Sequence, residues 1–506
     1  MAPPFDPLTT NAADLQRRLE AKELTSVQIV ETYLAQIETY NKYVNAFISI
    51  TPRDIVVGIA AALDAERAAG SLRGPYQGIP IVLKDSIITS PELGMPTTVG
   101  SWVFSEGKTK GNAPLVQKLV DAGLIVLGKT NLSENCGFKT TWIMPGWSAY
   151  GGQTLSPYIG PIEEGEKVLG HSAPGGSSTG SAMAVASGFC PLSIGTETIG
   201  SVMVPASRAA LYAIKPTIGS VEMKGVFSLC GMYDSVGPMA KTTADLVPVV
   251  ETLLGRALPG VLQKNWDGLS VGFVDPKVWD LHESMCLPKE GTAEEMVEKY
   301  EAAVAEIRKS GGNVKYPVHP AKLEELTVDG QQVMMPISFW DFKNKEIPAF
   351  IAEYEECPVS SLADIVKYNE ENKDKALPPP FPDQGDLVKA VENTTTEEEI
   401  NKMKEGLRPK AIELLDGVFE KEGVDIMVGP TDGGLIIYAP AAGYPTANVP
   451  LGTLSYNGRP FGLTLIAKAG REDVLLRFMS AYEATFPDRP VPDMERLKDR
   501  VENVKA

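Results

Sequence analysis

The spacing of apolar residues changes period several times along the chain. Leu15, Leu19, Val27, Val30, Leu34 and Ile37 recur at helical spacing, which predicts helices over residues 14–24 and 26–40. Thr25 followed by Gln28 has the form of a capping box for the second of them. An alanine-rich third helix is expected over 55–69, stopping at Gly70. The run GIPIVLKD at 78–85 is too short and too β-branched for a helix and reads as a buried strand with Lys84 at its carboxyl end. A helix over 114–122, a strand over 124–127 and a GKTN turn at 128–131 follow. Helix alternating with strand points to an α/β layered fold.

The stretch from Gly170 to Thr217 has a different texture. Ser177 and Ser178 lie in a Gly/Ser turn, a helix of small residues follows, then a short apolar strand, then a second turn, TETIGS, that ends on Ser201. Beyond it, DSVGPM at 234–239 reads as a turn, 242–254 as a helix and 269–274 as a strand. Residues 285–425 are charged and helical in period, interrupted at 375–384 by KALPPPFPDQ, a loop or lid-like excursion. Trp340 and Phe342 give this region an apolar face, which fits a local helical core or the wall of a substrate channel. Sheet character returns at 424–428 and in the segments 442–452 and 459–470, before a last helix over 472–485.

Composition narrows the function classes. With 43% hydrophobic and 22% charged residues, the 506-residue chain reads as globular throughout. Its net charge of −18 disfavours nucleic acid or an anionic membrane as partner, because phosphate binding needs clustered Lys and Arg. No apolar run approaches the roughly 18 residues that a membrane span requires. Five cysteines without paired spacing suggest reduced thiols. MAPPFDPLTT lacks a basic-then-apolar leader pattern and ENVKA a lipidation signal, so the cytoplasm is the expected setting. Neither metal-ligand spacing nor a phosphate-binding glycine loop is present, and no metal or cofactor is expected.

Only three histidines occur, His171, His282 and His319, and none has an obvious carboxylate partner beside a nucleophile. That leaves serine chemistry without histidine. A serine hydroxyl needs a base to take its proton. A lysine serves if burial brings its pKa down from about 10.4 towards neutrality, and Lys84 at the end of a buried strand meets that condition. A second serine between lysine and nucleophile can pass the proton, since a hydroxyl both donates and accepts. The turn from Thr196 to Ser201 offers consecutive backbone N–H groups, a nest suited to a developing oxyanion. Each part alone has a bland explanation, because Gly/Ser clusters are usually turn formers. Their combination points to an active site.

GIPIVLKD, GGSSTGSAMAVASG, GTETIGS and KPT, in this order, resemble the amidase signature family, and DSVGPM, AGYP and GRPFGL extend the likeness. GTET, PASRAALYAIKPT and GWSAYGGQT are most similar to its peptide-amidase branch. The resemblance implies one large domain, residues 1–506, with a central mixed β-sheet covered by helices on both faces. It makes Lys84 the base, Ser177 a relay serine held by a cis peptide bond, and Ser201 the acyl-accepting nucleophile. The N–H groups of Thr198, Ile199, Gly200 and Ser201 become the oxyanion donors, and Gly176, Ser178 and Trp147 candidates for substrate contact. It leaves 285–425 as the substrate-shaping part and a small-molecule or peptide amide as the partner of a monomer or homodimer. Three positions depart from the family pattern. Ile199 stands where many members have Gly or Asp, Met203 replaces a common arginine, and Thr179 replaces a glycine or serine. Acyl transfer to an amine, membership of a glutamine-dependent tRNA amidotransferase complex, and a catalytically inert binding role remain as alternatives.

Overall fold

One sheet of eleven strands organises the computed structural model, which describes residues 3–279 and 281–505. In chain order the strands are β1 (Phe47–Ile50), β2 (Pro80–Lys84), β3 (Ile125–Thr130), β4 (Leu192–Glu197), β5 (Tyr212–Lys215), β6 (Ser235–Ala240), β7 (Ser270–Val274), β8 (Asn313–Val318), β9 (Ile426–Pro430), β10 (Thr446–Thr453) and β11 (Pro460–Ala467). Across the sheet they run β1-β3-β2-β4-β6-β5-β10-β11-β9-β7-β8. The pairs β2–β3, β2–β4, β7–β8 and β7–β9 are parallel and the others antiparallel, so the sheet is mixed. Every residue of β2, β3, β4, β6, β9 and β11 is buried, which requires cover on both faces. Helices supply it, in a single α/β domain. Burying Ile81, Val82 and Leu83 completely is worth roughly 1.5–3 kcal/mol for each side chain.

Strand direction decides where chemistry can collect. Five successive antiparallel pairings separate β9 from β4, an odd number. The carboxyl ends of β2 and β4 therefore lie at one edge of the sheet, and those of β7 and β9 at the other. Lys84 closes β2 and Glu197 closes β4 at the first edge.

Most predicted elements form near their expected places. Helices run over Ala12–Glu20, Ser26–Val44 and Arg53–Ala68, and Thr25 and Gln28 make both hydrogen bonds of the capping box. The helix Glu472–Thr485 matches its expected range, but it is not the last, because a further helix, Met494–Lys505, follows it.

Several elements differ. DSVGPM is not a turn: residues from Ser235 form β6, between β4 and β5 near the middle of the sheet. Gly237 belongs there because a Cβ would lie 2.6 Å from the Ile214 carbonyl oxygen, so close backbone approach accounts for a residue that reads locally as a turn former. The GKTN stretch extends β3 through Thr130, with Lys129 buried beside Asp85. Residues 285–425 are not wholly helical, since β8 forms an outer strand of the sheet there. A short helix, Met203–Arg208, follows the second serine turn. Among the described residues no helix is long and apolar enough to cross a membrane.

Candidate active site

Lys84 reaches the site fully buried, because the apolar strand that carries it runs through the middle of the sheet. Its Nζ lies 2.8 Å from Ser177 Oγ, 2.8 Å from Thr196 Oγ1 and 3.2 Å from the Thr196 carbonyl oxygen. Burial pushes the Lys84 pKa down, and Cys136, Asp234 and Glu197 oppose the shift. A neutral amine has two N–H donors and one lone pair. With both donors on Thr196, the lone pair is left to accept the Ser177 proton.

Ser177 sits in a tightly built turn. The Gly176–Ser177 peptide is cis. The Ser133 N–H donates to the Ser177 carbonyl at 3.1 Å, and the Ser178 N–H donates to the Ser201 carbonyl at 3.1 Å. That second bond joins the two serine turns directly. A Cβ on Gly176 would lie 2.8 Å from Ser133 Oγ and 3.0 Å from Pro145, so the glycine is needed for packing. Ser178, expected as a substrate contact, uses its hydroxyl within the protein: it donates to the Thr196 carbonyl at 3.0 Å and accepts from the Thr196 N–H at 3.2 Å. It positions Thr196, which in turn orients Lys84.

The second turn leaves β4 at Glu197 and reaches Ser201, which is half-buried. Among the described residues, no protein acceptor takes the N–H groups of Thr198, Ile199, Gly200 or Ser201. Consecutive N–H groups without a partner in a tight turn are the elements from which an anion-binding nest is built. Gly200 has φ +74°, and a Cβ there would lie 2.8 Å from Ile436 Cδ1. Ile199 packs against the apolar cluster that contains Tyr233, Trp340, Leu435 and Tyr438. Phe342, by contrast, is fully buried in the main core.

Three supporting residues carried no signal in the sequence. Glu197 accepts from the N–H groups of Val202 (2.7 Å) and Met203 (2.9 Å), and its other oxygen lies 3.1 Å from the buried Lys215 Nζ. It braces the chain immediately after Ser201. Asp234 accepts from the N–H groups of Leu229 and Cys230. Burial pushes its carboxyl up to about 7, against the opposing hydrogen bond from the Thr198 side chain. Cys136, with φ +57°, holds its Sγ 3.8 Å from Thr196 Oγ1. The contacts of Glu197 with Lys215, Asp234 with Thr198 and Cys136 with Thr196 join segments that are not neighbours in sequence, so no local motif announces them.

Trp147 is buried against the proline-rich loop, its ring 5.0 Å from Phe381, with Lys139 Nζ 5.8 Å from the ring centre. That loop is tied down by Lys139 donating to the Ala376 carbonyl and Thr140 to Asp383. Trp147, expected as a substrate contact, is packed within the protein on these faces. The histidines take no part in the serine cluster. His171 contacts Arg459 and Cys286, His282 contacts Ser284, and His319 lies 3.8 Å from Asp275.

The family model for Amidase matches residues 28–435, most of the chain. The chain belongs to the amidase signature family. Its fold is similar to that of the native peptide amidase of Stenotrophomonas maltophilia, with a TM-score of 0.82 and 30% identity over 96% of this chain and 99% of that one. A Schizosaccharomyces pombe protein, named provisionally as an amidase, is 29% identical over 93% of this chain and 84% of its own length. A glutamyl-tRNA(Gln) amidotransferase component from Chloroflexus aurantiacus is 37% identical, but over only 49% of this chain and 47% of that protein. This member of the family is an amidohydrolase, acting on carbon–nitrogen bonds in linear amides.

Proposed function

We propose that the protein hydrolyses a peptide or small-molecule carboxamide through an acyl-enzyme on Ser201. The observation that carries the reading is the fully buried Lys84, 2.8 Å from the Ser177 hydroxyl, beside a turn of unpaired N–H groups that ends at Ser201. Neutral Lys84 takes the Ser177 proton as Ser177 takes that of Ser201. Ser201 Oγ bonds to the amide carbon, and the negative charge on the carbonyl oxygen is met by the N–H groups of Thr198, Ile199, Gly200 and Ser201. One such donor elsewhere lowers the barrier by roughly 2.7–4 kcal/mol. The C–N bond breaks as the proton returns through Ser177 to the departing nitrogen. Water, deprotonated by the same route, attacks the ester, releases the acid and restores Ser201.

Ile199 makes the wall beside the nucleophile apolar, which supports a substrate with an apolar group next to the scissile carbonyl. The shared cluster of Ile199 with Met334, Trp340 and Leu407 supports a substrate-shaping role for that part of 285–425. The five free thiols fit a reducing, cytoplasmic setting, and we read the working unit as a monomer or homodimer without cofactor. Fluorophosphonate labelling tests the assignment of the nucleophile. Wild-type protein takes up the probe and Ser201→Ala does not; labelling that persists in Ser201→Ala removes Ser201 from the mechanism.

A further inference from the structure

Asp234 lies immediately before β6 and is only 4% exposed. In the last pairs between β4 and β6, Thr196 faces Val236 and Glu197 faces Ser235. One step further along this antiparallel register, Asp234 stands across from Thr198, the residue that opens the turn ending at Ser201. Residues opposed in this way bring their side chains within reach of each other. The Thr198 hydroxyl bears on the Asp234 carboxyl as a hydrogen-bond donor.

The two carboxyl oxygens are used unequally. Oδ2 accepts from the N–H groups of Leu229 and Cys230, the second at 3.2 Å. Oδ1 is buried and, among the described residues, has no partner at full hydrogen-bond length, so the contact with Thr198 is a long one. A buried acceptor left unused is unfavourable. Hydrogen bonds in catalytic sites are often long at rest and tighten in the reacting complex. Oδ1 therefore has capacity to take up the Thr198 hydroxyl as charge develops in the turn.

The turn needs a tether at this end. Beyond Ser201 it is held by Glu197, which accepts from Val202 and Met203. The Gly200 carbonyl accepts from Val204 at 2.8 Å, and that of Ser201 from Ser178 at 3.1 Å. Thr198, half-buried, has no backbone bond of this kind among the described residues. A group that fixes others must itself be fixed. The loop before Asp234 meets that demand: Cys230 Sγ donates to Asp341 at 3.2 Å, Gly231 N–H to Glu346 at 2.9 Å, and Arg408 to the Met232 carbonyl. We propose that Asp234 is a positioning residue for acylation, which fixes the entrance of the N–H-bearing turn through the Thr198 hydroxyl. This deepens the reading of Ser201 as the nucleophile and rests on it.

Fluorophosphonate labelling kinetics on the full chain test it. Labelling forms the Ser201 Oγ–P bond and expels fluoride, so it reports on attack at Ser201 without a known amide substrate. Asp234→Ala and Thr198→Val each lower the maximal labelling rate about tenfold or more, short of the roughly 10²–10³-fold for losing an oxyanion donor outright. Probe affinity stays within about threefold of wild type, because the tether acts on the reacting state. Thr198→Ser keeps the hydroxyl and labels at least about threefold faster than Thr198→Val. The double variant Asp234→Ala/Thr198→Val is no more than about twofold slower than the slower single one, since both cut the same tether. Should Asp234→Ala not fold, Thr198→Val and Thr198→Ser decide the matter. A wild-type rate in Thr198→Val, no gain in Thr198→Ser, a loss confined to probe affinity, or multiplicative effects in the double variant overturns the proposal. Any of these with Ser201→Ala unlabelled leaves Ser201 as the nucleophile, whereas labelled Ser201→Ala removes both.

Discussion

Glu197→Gln separates the energetic role of this residue from its geometric one. The wild-type carboxylate holds two backbone N–H groups with one oxygen and the Lys215 ammonium with the other. A glutamine carbonyl can still accept from Val202 and Met203, but its amide group then faces Lys215 with N–H donors. Lys215 is fully buried, and among the described residues its Nζ has no hydrogen-bond partner beyond the Glu197 ion pair. Removing one member of a buried ion pair costs about 3–5 kcal/mol, because the other charge stays buried without compensation. Denaturant unfolding, monitored by tryptophan fluorescence, therefore gives Glu197→Gln a stability lower by about 3–5 kcal/mol. Adding Lys215→Met removes the orphaned ammonium and returns most of the loss. The turn after Ser201 keeps its clamp, so kcat of the folded Glu197→Gln protein falls less than tenfold. A loss below about 1 kcal/mol, the value of an exposed pair, or a double variant no more stable than Glu197→Gln, refutes the assignment of the cost to buried Lys215.

Lys84→Met eliminates amide hydrolysis and changes how stability responds to pH. The folded pKa of Lys84 lies below its unfolded value near 10.4. The folded state thus binds fewer protons, the site costs stability at neutral pH, and the cost fades as pH rises towards 10. Wild type consequently gains on Lys84→Met with rising pH; a stability difference that is flat between pH 7 and 10 contradicts this. For the same reason kcat/KM rises with pH along an ionisation lying below that of an ordinary lysine, and a limb at about 10.4 in a pH–rate profile opposes a depressed base. Ile199→Gly opens the wall beside Ser201. In an amide panel, kcat/KM for substrates with apolar groups at the carbonyl should fall about 10-fold relative to small polar amides, the scale of one lost apolar contact, and an unchanged ranking counts against Ile199 as a selectivity residue. Ser178→Ala releases both bonds to the Thr196 backbone; kcat falls and the pH–rate limb moves as Lys84 loses its oriented acceptor, whereas a fall in kcat with an unmoved limb speaks against positioning through Thr196.

How much of this was legible in the sequence depended on whether neighbouring residues carried the information. Apolar period alone placed the helix Glu472–Thr485 and the buried strand that ends at Lys84. The serine turns were visible because glycine and serine cluster locally. β6 was misread because Gly237 is set by the Ile214 carbonyl on a neighbouring strand, a demand that no local window contains. Glu197 stood in full view within the second serine turn yet gave no hint of its task, since its partner Lys215 enters from β5. Asp234 likewise looked like a turn former, while its carboxylate holds Leu229 and Cys230 and meets Thr198. The groups proposed to react, Lys84, Ser177 and Ser201, lie in motifs that can be read locally. The groups that hold them still arrive on separate strands, and only the pairing of those strands brings them together. A variant that keeps every motif residue and breaks one such brace should therefore fail in the geometry or stability of the site while every signature residue remains in place.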